Sequence, residues 1–397
     1  MRTLLRGPFL LTTIANFFFF LNFASFFLLP LEIRNLGGSE SVIGAVMGTA
    51  GLASLGVLPV VGLSIDRLGR RAFLMMGAVG MTLASVGYLF VESVGPYLFA
   101  LRLLQGLSFA AAFTATTTFA AEFAPVGRRA QALGIFGLST LLTHAIAPIV
   151  GEEIVQLASF RTLFAVTTTY TVIALLLALG LPAGRATHGA AVHASERRLR
   201  PIHWVVAGTM TFAGMGFGTV MTFVPTYVTS EGLGRVGYFF AAYTSTAILT
   251  RLVGAGLSDR LGRRRVIIPT LLALALSIFW LAFVHNVPLL FAAGALFGTA
   301  QGISYPTLHA LLVDLATEAQ LGRSQALFNG AFNFGVTASA FAFGVIAEHF
   351  GQRSMFMFAA LMPAVACALF AIGTQGVARP AHVAELGAVG GQLPSGR

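Results

Sequence analysis

The sequence has little charge, one cysteine and no lysine. Only 10% of its 397 residues are charged, and all 24 basic residues are arginines. The single Cys367 can form no internal disulfide. There is no nucleophile elbow, no P-loop and no metal-ligand pair, and His188, His193 and His203 fit no usual ligand spacing. We therefore predict no metal site, no cofactor and no enzymatic activity.

Hydrophobic residues are abundant instead. They make up 56% of the chain, which includes 36 Phe and has a mean hydropathy of +0.84. That exceeds what a soluble core needs. Runs of about 20 apolar residues, enough to cross the hydrocarbon layer, recur without the alternation of barrel strands. The sequence predicts an all-α membrane protein with twelve transmembrane helices, over residues 8–30, 41–63, 72–91, 96–121, 130–151, 161–181, 203–228, 236–257, 266–286, 288–313, 324–347 and 354–373.

The arginines predict the orientation of these helices. Most lie on the side of the predicted spans that holds both termini, and Arg102 and Arg251 fall within spans. The other side holds only Arg34, Arg161, Arg235 and Arg353. By the positive-inside rule both termini are predicted to be cytoplasmic, in a multi-pass protein of the inner or plasma membrane. The formal charge of +10 is then an orientation signal, and nucleic acid is not a predicted partner.

Internal echoes predict two homologous halves. The hexapeptide DRLGRR begins at Asp66 and again at Asp259. Two further echoes keep nearly the same offset: RAQAL from Arg129 with RSQAL from Arg323, and QG at Gln105 with QG at Gln301. Such a repeat predicts two pseudo-symmetric six-helix bundles. The predicted domains are residues 1–181 and 203–373, with a cytoplasmic linker at 182–202 and a disordered cytoplasmic tail at 374–397.

These motifs carry a family resemblance. GLSIDRLGRR from Gly62, RLLQG from Arg102 and the six-plus-six arrangement resemble the major facilitator superfamily over about residues 8–373. Within it, the chain length and RRAQALGIFG resemble bacterial drug:proton antiporters and sugar-efflux-like permeases. The resemblance implies transport by alternating access, with a small-molecule substrate, protons and the lipid bilayer as partners of a monomer.

The repeated hexapeptide is predicted to form a cytoplasmic ionic latch in each half. Gly69 and Gly262 can adopt turn angles that other residues resist, and Glu122 and Glu318 end spans 4 and 10 as anionic partners. The latch residues are Asp66, Arg67, Gly69, Arg70, Arg71 and Glu122, then Asp259, Arg260, Gly262, Arg263, Arg264 and Glu318. The resemblance implies that the latch closes the inner face in the outward-open state. A plain positive-inside anchor is the alternative.

Four side chains within the spans are candidates for coupling: Arg102, His144, His309 and Arg251. A charge at the bilayer centre costs about 2.5 to 3.5 kcal/mol on insertion scales, so such residues are usually functional. Snorkelling to the interface is the alternative for both arginines. Histidine changes charge near neutral pH, and no Asp or Glu lies mid-span, so proton carriers are scarce. The resemblance assigns the arginine of RxxQG to coupling or gating.

Polar residues at helical spacing predict the cavity faces. The stripes are Gln301, Tyr305 and His309 on span 10, and Asn329, Asn333 and Thr337 on span 11, with Asn16 on span 1 and Gln105 on span 4. Hydrogen bonds between helices are the alternative use of such residues. Some of the many Phe are expected to line a pocket for apolar or aromatic molecules.

The direction of transport depends on span 5. The family's antiporter motif ends in G-P-x-x-G-G, where this chain reads APIVGE. Gly134, Pro148 and Gly151 match the motif, whereas Thr143, Ala147 and Glu152 replace glycines. We predict proton-coupled efflux of a small amphipathic or apolar solute. Uptake by symport or facilitated diffusion is the alternative, followed by a non-transporting receptor or a membrane enzyme.

Overall fold

A computed structural model describes residues 7–124, 128–182, 199–254, 256–317 and 320–375, with side chains except at 63, 66, 67, 129, 130 and 321. All regular structure in these ranges is helical. The first half contains α1 (Pro8–Ser25), α2 (Leu29–Asn35), α3 (Glu40–Leu68), α4 (Arg70–Tyr88), α5 (Pro96–Glu122), α6 (Arg129–Leu157) and α7 (Phe160–Leu179). A 3-10 turn over Phe26–Leu28 joins α1 to α2.

The second half follows the same pattern. It contains α8 (Pro201–Ser230), α9 (Val236–Val253), α10 (Leu257–Leu261), α11 (Arg263–Leu281), α12 (Val287–Leu315) and α13 (Leu321–Gly373). Gly351 interrupts α13 with a φ of 81°, so two helical segments meet there. Across the described ranges, nine helices are long and apolar enough to cross a membrane. The prediction of an all-helical chain with membrane-crossing segments is therefore confirmed.

Several helix ends differ from the predicted spans for local reasons. The span predicted to reach residue 257 ends at Val253, because Gly254 follows and Gly256 has a φ of 85°. The spans predicted to end at 91 and 286 end at Tyr88 and Leu281, where the chain turns. The first span continues beyond residue 30 to Asn35, because Pro30 falls in the first turn of α2, where a proline is tolerated.

The repeated hexapeptide builds the same turn twice. Gly69 separates α3 from α4 with a φ of 87°, and Gly262 separates α10 from α11 with a φ of 90°. A side chain in this left-handed region would strain the backbone, so glycine is the residue that permits an abrupt change of helix direction. The arginines that follow each glycine therefore start the next helix at one face of the molecule.

A second repeated glycine sets the spacing of the helices. A Cβ on Gly106 of α5 would overlap the carbonyl oxygen of Ala50 on α3. A Cβ on Gly302 of α12 would come within 2.9 Å of Ala247 Cα on α9. Both glycines follow the glutamines of the QG echo, so the same close approach of two helix backbones occurs in each half.

Both ends of the described chain lie at one face, named here the terminal face. At this face the start of α4 meets the end of α7, with Arg71 Nη2 2.6 Å from Leu179 O. The start of α11 meets the end of α13 through Arg264 Nη2, 2.9 Å from Ala371 O. The other side of the molecule is named the opposite face. The two halves pack on each other where α3 crosses α13 and where α6 crosses α9.

Candidate functional site

A carboxylate from the first half joins the two halves at the opposite face. Glu152, near the end of α6, accepts hydrogen bonds from the backbone N–H groups of Val236 (2.9 Å) and Gly237 (2.8 Å) at the start of α9. Next to it, Glu153 forms an ion pair with Arg235. The end of α6 is thus fastened to the start of α9 by charged and backbone groups.

A second polar contact joins the halves around α3 and α13. Ser39 Oγ and the backbone N–H of Ser41 donate to Glu348 Oε2 at 2.8 and 3.0 Å. Close by, Arg34 forms an ion pair with Glu40 and donates to the carbonyl of Thr226 (2.8 Å). Gln352 Nε2 donates to Glu40 Oε1 (3.2 Å) and Thr226 Oγ1 (3.0 Å). These groups close the opposite face.

At the terminal face the described ion pairs each join residues of one half. Arg70 pairs with Glu122, which is the partner expected from the sequence. Arg263 pairs with Asp314 Oδ2 (3.0 Å) and Asp259 Oδ1 (2.7 Å).

The other predicted latch residues form no ion pair within the described part of the chain or lie outside it. Arg260 is exposed. The side chains of Asp66 and Arg67, and all of Glu318, lie outside the described residues. Asp314 was not among the predicted latch residues, although it lies at the end of α12 and pairs with Arg263. The latch role stays a prediction.

Arg102 is buried in the first half. Its Nε lies 3.3 Å from Val46 O, its Nη2 lies 3.3 Å from Met47 O, and its Nη1 lies 2.9 Å from Gln105 Oε1. Gln105 Oε1 also accepts from Tyr88 Oη at 2.9 Å. These partners lie on α3, α4 and α5, so the RxxQG motif ties three helices of one half together. Its predicted role in coupling is not tested by these contacts.

Three further cavity candidates are buried, and two of them lie in contacts between helices. Asn16 is buried, donates to Thr140 Oγ1 (2.8 Å) and accepts from Thr116 Oγ1 (3.0 Å). Thr337 is buried where α13 crosses α3, and a Cβ on Gly51 would overlap its hydroxyl. Gln301 is buried on α12.

The span 5 motif has unequal surroundings. A Cβ on Gly151 would lie 2.9 Å from Leu28 Cδ1, whereas one on Gly134 would meet nothing within 4 Å. Pro148 lies inside α6. The close packing of α6 on Leu28 explains the glycine at 151. Gly134 lies in the part of α6 nearer the terminal face, and the position of its missing side chain is open.

Aromatic rings of the two halves contact each other at the boundary between them. Phe27 stacks on Phe240 with centroids 5.7 Å apart, and it lies 5.3 Å from the ring of His144. His144 in turn stacks on Tyr243 at 6.3 Å, and Tyr243 lies 5.4 Å from Phe297. The rings of α6 and the 3-10 turn therefore continue into those of α9 and α12.

The series of rings continues within the second half. Phe217 lies between Phe297 (6.0 Å) and Phe332 (5.5 Å). Tyr305 contacts Phe332 (5.3 Å) and Phe328 (5.5 Å), and His309 lies 5.3 Å from Phe328. We name this series the aromatic wall, which consists of Phe27, His144, Phe217, Phe240, Tyr243, Phe297, Tyr305, His309, Phe328 and Phe332.

The two predicted polar stripes meet at the wall. Tyr305 Oη donates to Asn329 Oδ1 (3.3 Å), and Asn333 Nδ2 donates to Asn329 O (2.9 Å). Tyr305 and His309 are partly buried, and Asn329 is exposed. The structure thus brings Tyr305, His309 and Asn329 together, with Asn333 one turn away.

Arg251 on α9 supplies positive charge at this site. It lies close enough to His144, Tyr243 and Tyr305 to interact with each electrostatically. The arginine is partly exposed as a residue, whereas its Nε is buried. The candidate site therefore combines aromatic rings, two histidines and one arginine, and it reaches the boundary between the halves through His144 on α6 and Arg251 on α9.

Two cavities lie away from this site. One of about 690 Å³ is lined by apolar groups of α3 and α5, among them Val42, Phe99 and Leu103. Another of about 200 Å³ lies beside Glu152 and Arg235. The larger one contains none of the residues that the sequence predicted for the site.

Known proteins resemble this chain along nearly its whole length. The model of the Major Facilitator Superfamily matches residues 11–240 and 206–390. The chain belongs to this superfamily. It is 24% identical to the staphylopine export protein of Staphylococcus aureus over 383 residues, which cover 91% of this chain and 95% of that protein. It is also 24% identical to the multi-drug resistance efflux pump PmrA of Streptococcus pneumoniae, over 85% of this chain and 88% of the pump.

A solved structure shares the fold. The D-xylose-proton symporter superposes with a TM-score of 0.77 at 17% identity, over 91% of this chain and 96% of that one. The predicted family and the membrane location are confirmed. This major facilitator chain is a multi-pass plasma-membrane transporter and not an enzyme.

Proposed function

We propose that this transporter exports a small amphipathic or apolar solute in exchange for protons, by alternating access. The aromatic wall is the observation that carries the proposal, because it begins where the two halves meet and continues into the second half, where the partly exposed rings of Phe217, Tyr305 and Phe332 lie beside a few polar groups. Two relatives named as an export protein and an efflux pump support the outward direction.

The proposed topology is twelve spans in two six-helix bundles. It counts α1 with α2 as one span and α13 as two that meet at Gly351, and it joins residues 1–181 to 203–373 through a linker at 182–202. Residues 183–198 of that linker, and 376–397 of the tail at 374–397, lie outside the described residues. Both termini are proposed to be cytoplasmic, and the chain is proposed to act as a monomer.

This topology assigns a state to the structure. With cytoplasmic termini the opposite face is extracellular, and there Glu152 and Glu348 bind the other half. The described ion pairs at the terminal face, such as Arg70 with Glu122, stay within one half. The structure then corresponds to an inward-open conformation, in which each hexapeptide clamps its own half. The contacts of the hexapeptides across the halves are proposed for the outward-open state.

Proton coupling is proposed on energetic and chemical grounds. One proton that moves down 100 mV supplies about 2.3 kcal/mol, enough for a solute gradient of roughly 50-fold. The histidines of the wall, His144 and His309, are the proposed carriers because each imidazole can bind and release a proton and no Asp or Glu belongs to the wall.

Inverted membrane vesicles test the proposal. A panel of fluorescent amphipathic dyes with anionic, neutral and cationic members is offered outside, and a pH gradient is applied. We expect at least one dye to accumulate in vesicles that contain the transporter, above the level in vesicles without it, and a protonophore to abolish the difference. Accumulation that survives the protonophore would contradict proton coupling, and no accumulation of any dye would contradict export.

Uptake by symport or facilitated diffusion is the second candidate. Thr143, Ala147 and Glu152 replace glycines of the antiporter motif, and this departure is the observation that favours it. Right-side-out vesicles distinguish the two candidates. Inward accumulation driven by an inward proton gradient would support symport and contradict the export proposal.

A further inference from the structure

Three buried polar atoms at the boundary between the halves have no hydrogen-bond partner among the described residues. They are Arg251 Nε, Thr244 Oγ1 and His144 Nδ1. Buried polar groups in folded proteins are nearly always paired, so each exception requires a water, an ion or a ligand as partner. Three exceptions in one region indicate a place where something polar binds.

The three groups converge where α6 crosses α9. Thr244 and Arg251 are two turns apart on one face of α9, and helical side chains tilt toward the N-terminus, so Arg251 extends toward Thr244. His144 comes from α6 in the other half and stacks on Tyr243, the neighbour of Thr244. Arg251 lies close enough to His144 to interact with it electrostatically.

The charge of this cluster is positive, and no acid among the described residues of the neighbouring helices α6, α9 and α12 neutralises it. Within α6 and α9 the acids are Glu152 and Glu153, and both are engaged at the opposite face. On α12 the acid is Asp314, which pairs with Arg263. Arg251 forms no ion pair within the part of the chain that the structure describes. An uncompensated charge between spans is costly, and an anion that neutralises it would bind favourably.

The surroundings also limit the shape of that anion. The rings of Phe27, Phe240 and Tyr243 lie next to His144, and Tyr305 lies within the electrostatic reach of Arg251. Phe27, Phe240 and Tyr243 are buried, whereas the rings of His144 and Tyr305 keep part of their surface exposed, and an inorganic anion would leave that part uncovered. A molecule with an aromatic body and one carboxylate would satisfy both parts of the site.

We propose that Arg251, with Thr244 and His144, binds the carboxylate of the transported solute, and that the solute is an aromatic organic anion. The planar guanidinium matches a carboxylate in shape and charge, and the hydroxyl and imidazole offer further hydrogen bonds. Arg251 is partly exposed, so the solute can reach it. This inference rests on the proposed transport function and specifies its substrate class.

Binding to the purified full chain in lipid nanodiscs tests the charge preference. Equilibrium dialysis compares labelled 1-naphthoate with its neutral analogue 1-naphthamide and with 1-naphthylmethylammonium. We expect the wild type to bind naphthoate about tenfold more tightly than naphthamide, the ratio that one charged hydrogen-bond pair supplies. Arg251→Gln should remove this preference, and Arg251→Lys should retain part of it.

Arg161→Gln is the matched control, because it removes the same charge from an exposed pair with Glu92 (3.0 Å). It should leave the preference unchanged. Equal binding of naphthoate and naphthamide to the wild type, no measurable binding of naphthoate at millimolar concentration, or a preference that survives Arg251→Gln would each overturn the inference. If Arg251→Gln does not fold, Thr244→Val decides: a ratio reduced several-fold supports the site, and an unchanged ratio overturns it.

Different experimental outcomes would contradict the inference and the proposed function. Proton-driven export of the naphthyl ammonium or amide, without export of naphthoate, would overturn the anion site and leave the transport function standing. Binding of naphthoate that depends on Arg251, together with no proton-dependent transport of any dye, would support the site and contradict the proposed function.

Discussion

Both carboxylate oxygens of Glu152 accept backbone N–H groups of the other half, with Oε1 2.9 Å from Val236 N and Oε2 2.8 Å from Gly237 N. The first N–H groups of a helix have no partner within it and carry partial positive charge, so a carboxylate is well suited to bind them. Glu152 and α9 belong to different halves. This interaction therefore exists only while the opposite face is closed.

The first prediction concerns this interaction. Glu152→Gln keeps the size of the side chain, but it removes the charge and one of the two acceptors. Loss of a good helix cap costs about 0.5 to 2 kcal/mol, so the closed population should fall several-fold. Spin labels on cysteines at Leu157 and His285, both exposed near the opposite face, should report a longer mean distance.

Glu92→Gln is the control for this measurement. Glu92 is also at the opposite face, but it pairs with Arg161 of the same half and is mostly exposed. Its loss should leave the distance unchanged. If Glu152→Gln also leaves it unchanged, Glu152 does not help to close this face.

The sequence indicated that Glu152 is unusual, but it did not reveal its partner. Glu152 stands where the antiporter motif has glycine, and that departure was visible. The N–H groups it binds are 84 and 85 residues away, and no local pattern predicts a backbone donor at such a distance. By contrast, the turns at Gly69 and Gly262 follow from local chemistry, because glycine tolerates the positive φ that they adopt.

The aromatic wall could not be predicted for a different reason. Periodicity identifies polar stripes in an apolar helix, and it found Tyr305, His309 and Asn329. The chain has 36 Phe, so the few that line the boundary, such as Phe27 and Phe240, share their pattern with those that face lipid. Which of them meet depends on how the helices cross, and that is a tertiary property.

The second prediction concerns Arg102. Its guanidinium lies within hydrogen-bond distance of two carbonyls of α3 and the amide oxygen of Gln105. Arg102→Ala removes these hydrogen bonds and leaves a cavity among α3, α4 and α5, so the free energy of unfolding should fall by about 2 to 4 kcal/mol. Tyr88→Phe removes one hydrogen bond to Gln105 and should cost about 1 kcal/mol.

Denaturation in nanodiscs measures both variants, and transport by the folded fraction separates structure from coupling. Transport per folded molecule that stays normal in Arg102→Ala would leave Arg102 with a structural role alone. A folded variant that has lost transport would support the coupling role that the RxxQG resemblance implies.

The third prediction compares two glycines within spans. A Cβ on Gly106 would overlap the carbonyl oxygen of Ala50, whereas a Cβ on Gly134 would meet nothing within 4 Å. Gly106→Ala should push α5 from α3 and reduce the yield of folded protein strongly. Gly134→Ala should raise stability by up to about 1 kcal/mol, because alanine favours the helix. Equal thermal stability of the two variants would contradict the close approach of α3 and α5.

The last prediction concerns the ion pair between Arg70 and Glu122. Both residues belong to the first half, so the pair holds the start of α4 to the end of α5 whether or not the terminal face is open. A partly exposed pair is worth about 0.2 to 1 kcal/mol, so Arg70→Glu or Glu122→Arg alone should lower stability modestly. The double exchange, Arg70→Glu with Glu122→Arg, should recover much of the loss in both stability and transport.

The corresponding pair in the second half provides the comparison. Arg263 contacts Asp314 and Asp259 together, so Arg263→Ala removes two charge pairs within the second half and should also lower stability modestly. Spin labels at the end of α3 and at the start of α13, both at the terminal face, then distinguish a clamp within one half from a latch between the halves. Distances that stay the same in Arg70→Ala indicate a clamp within one half, because the pair then has no influence on the opening between halves. Distances that lengthen indicate that the hexapeptide also binds the other half when the terminal face closes.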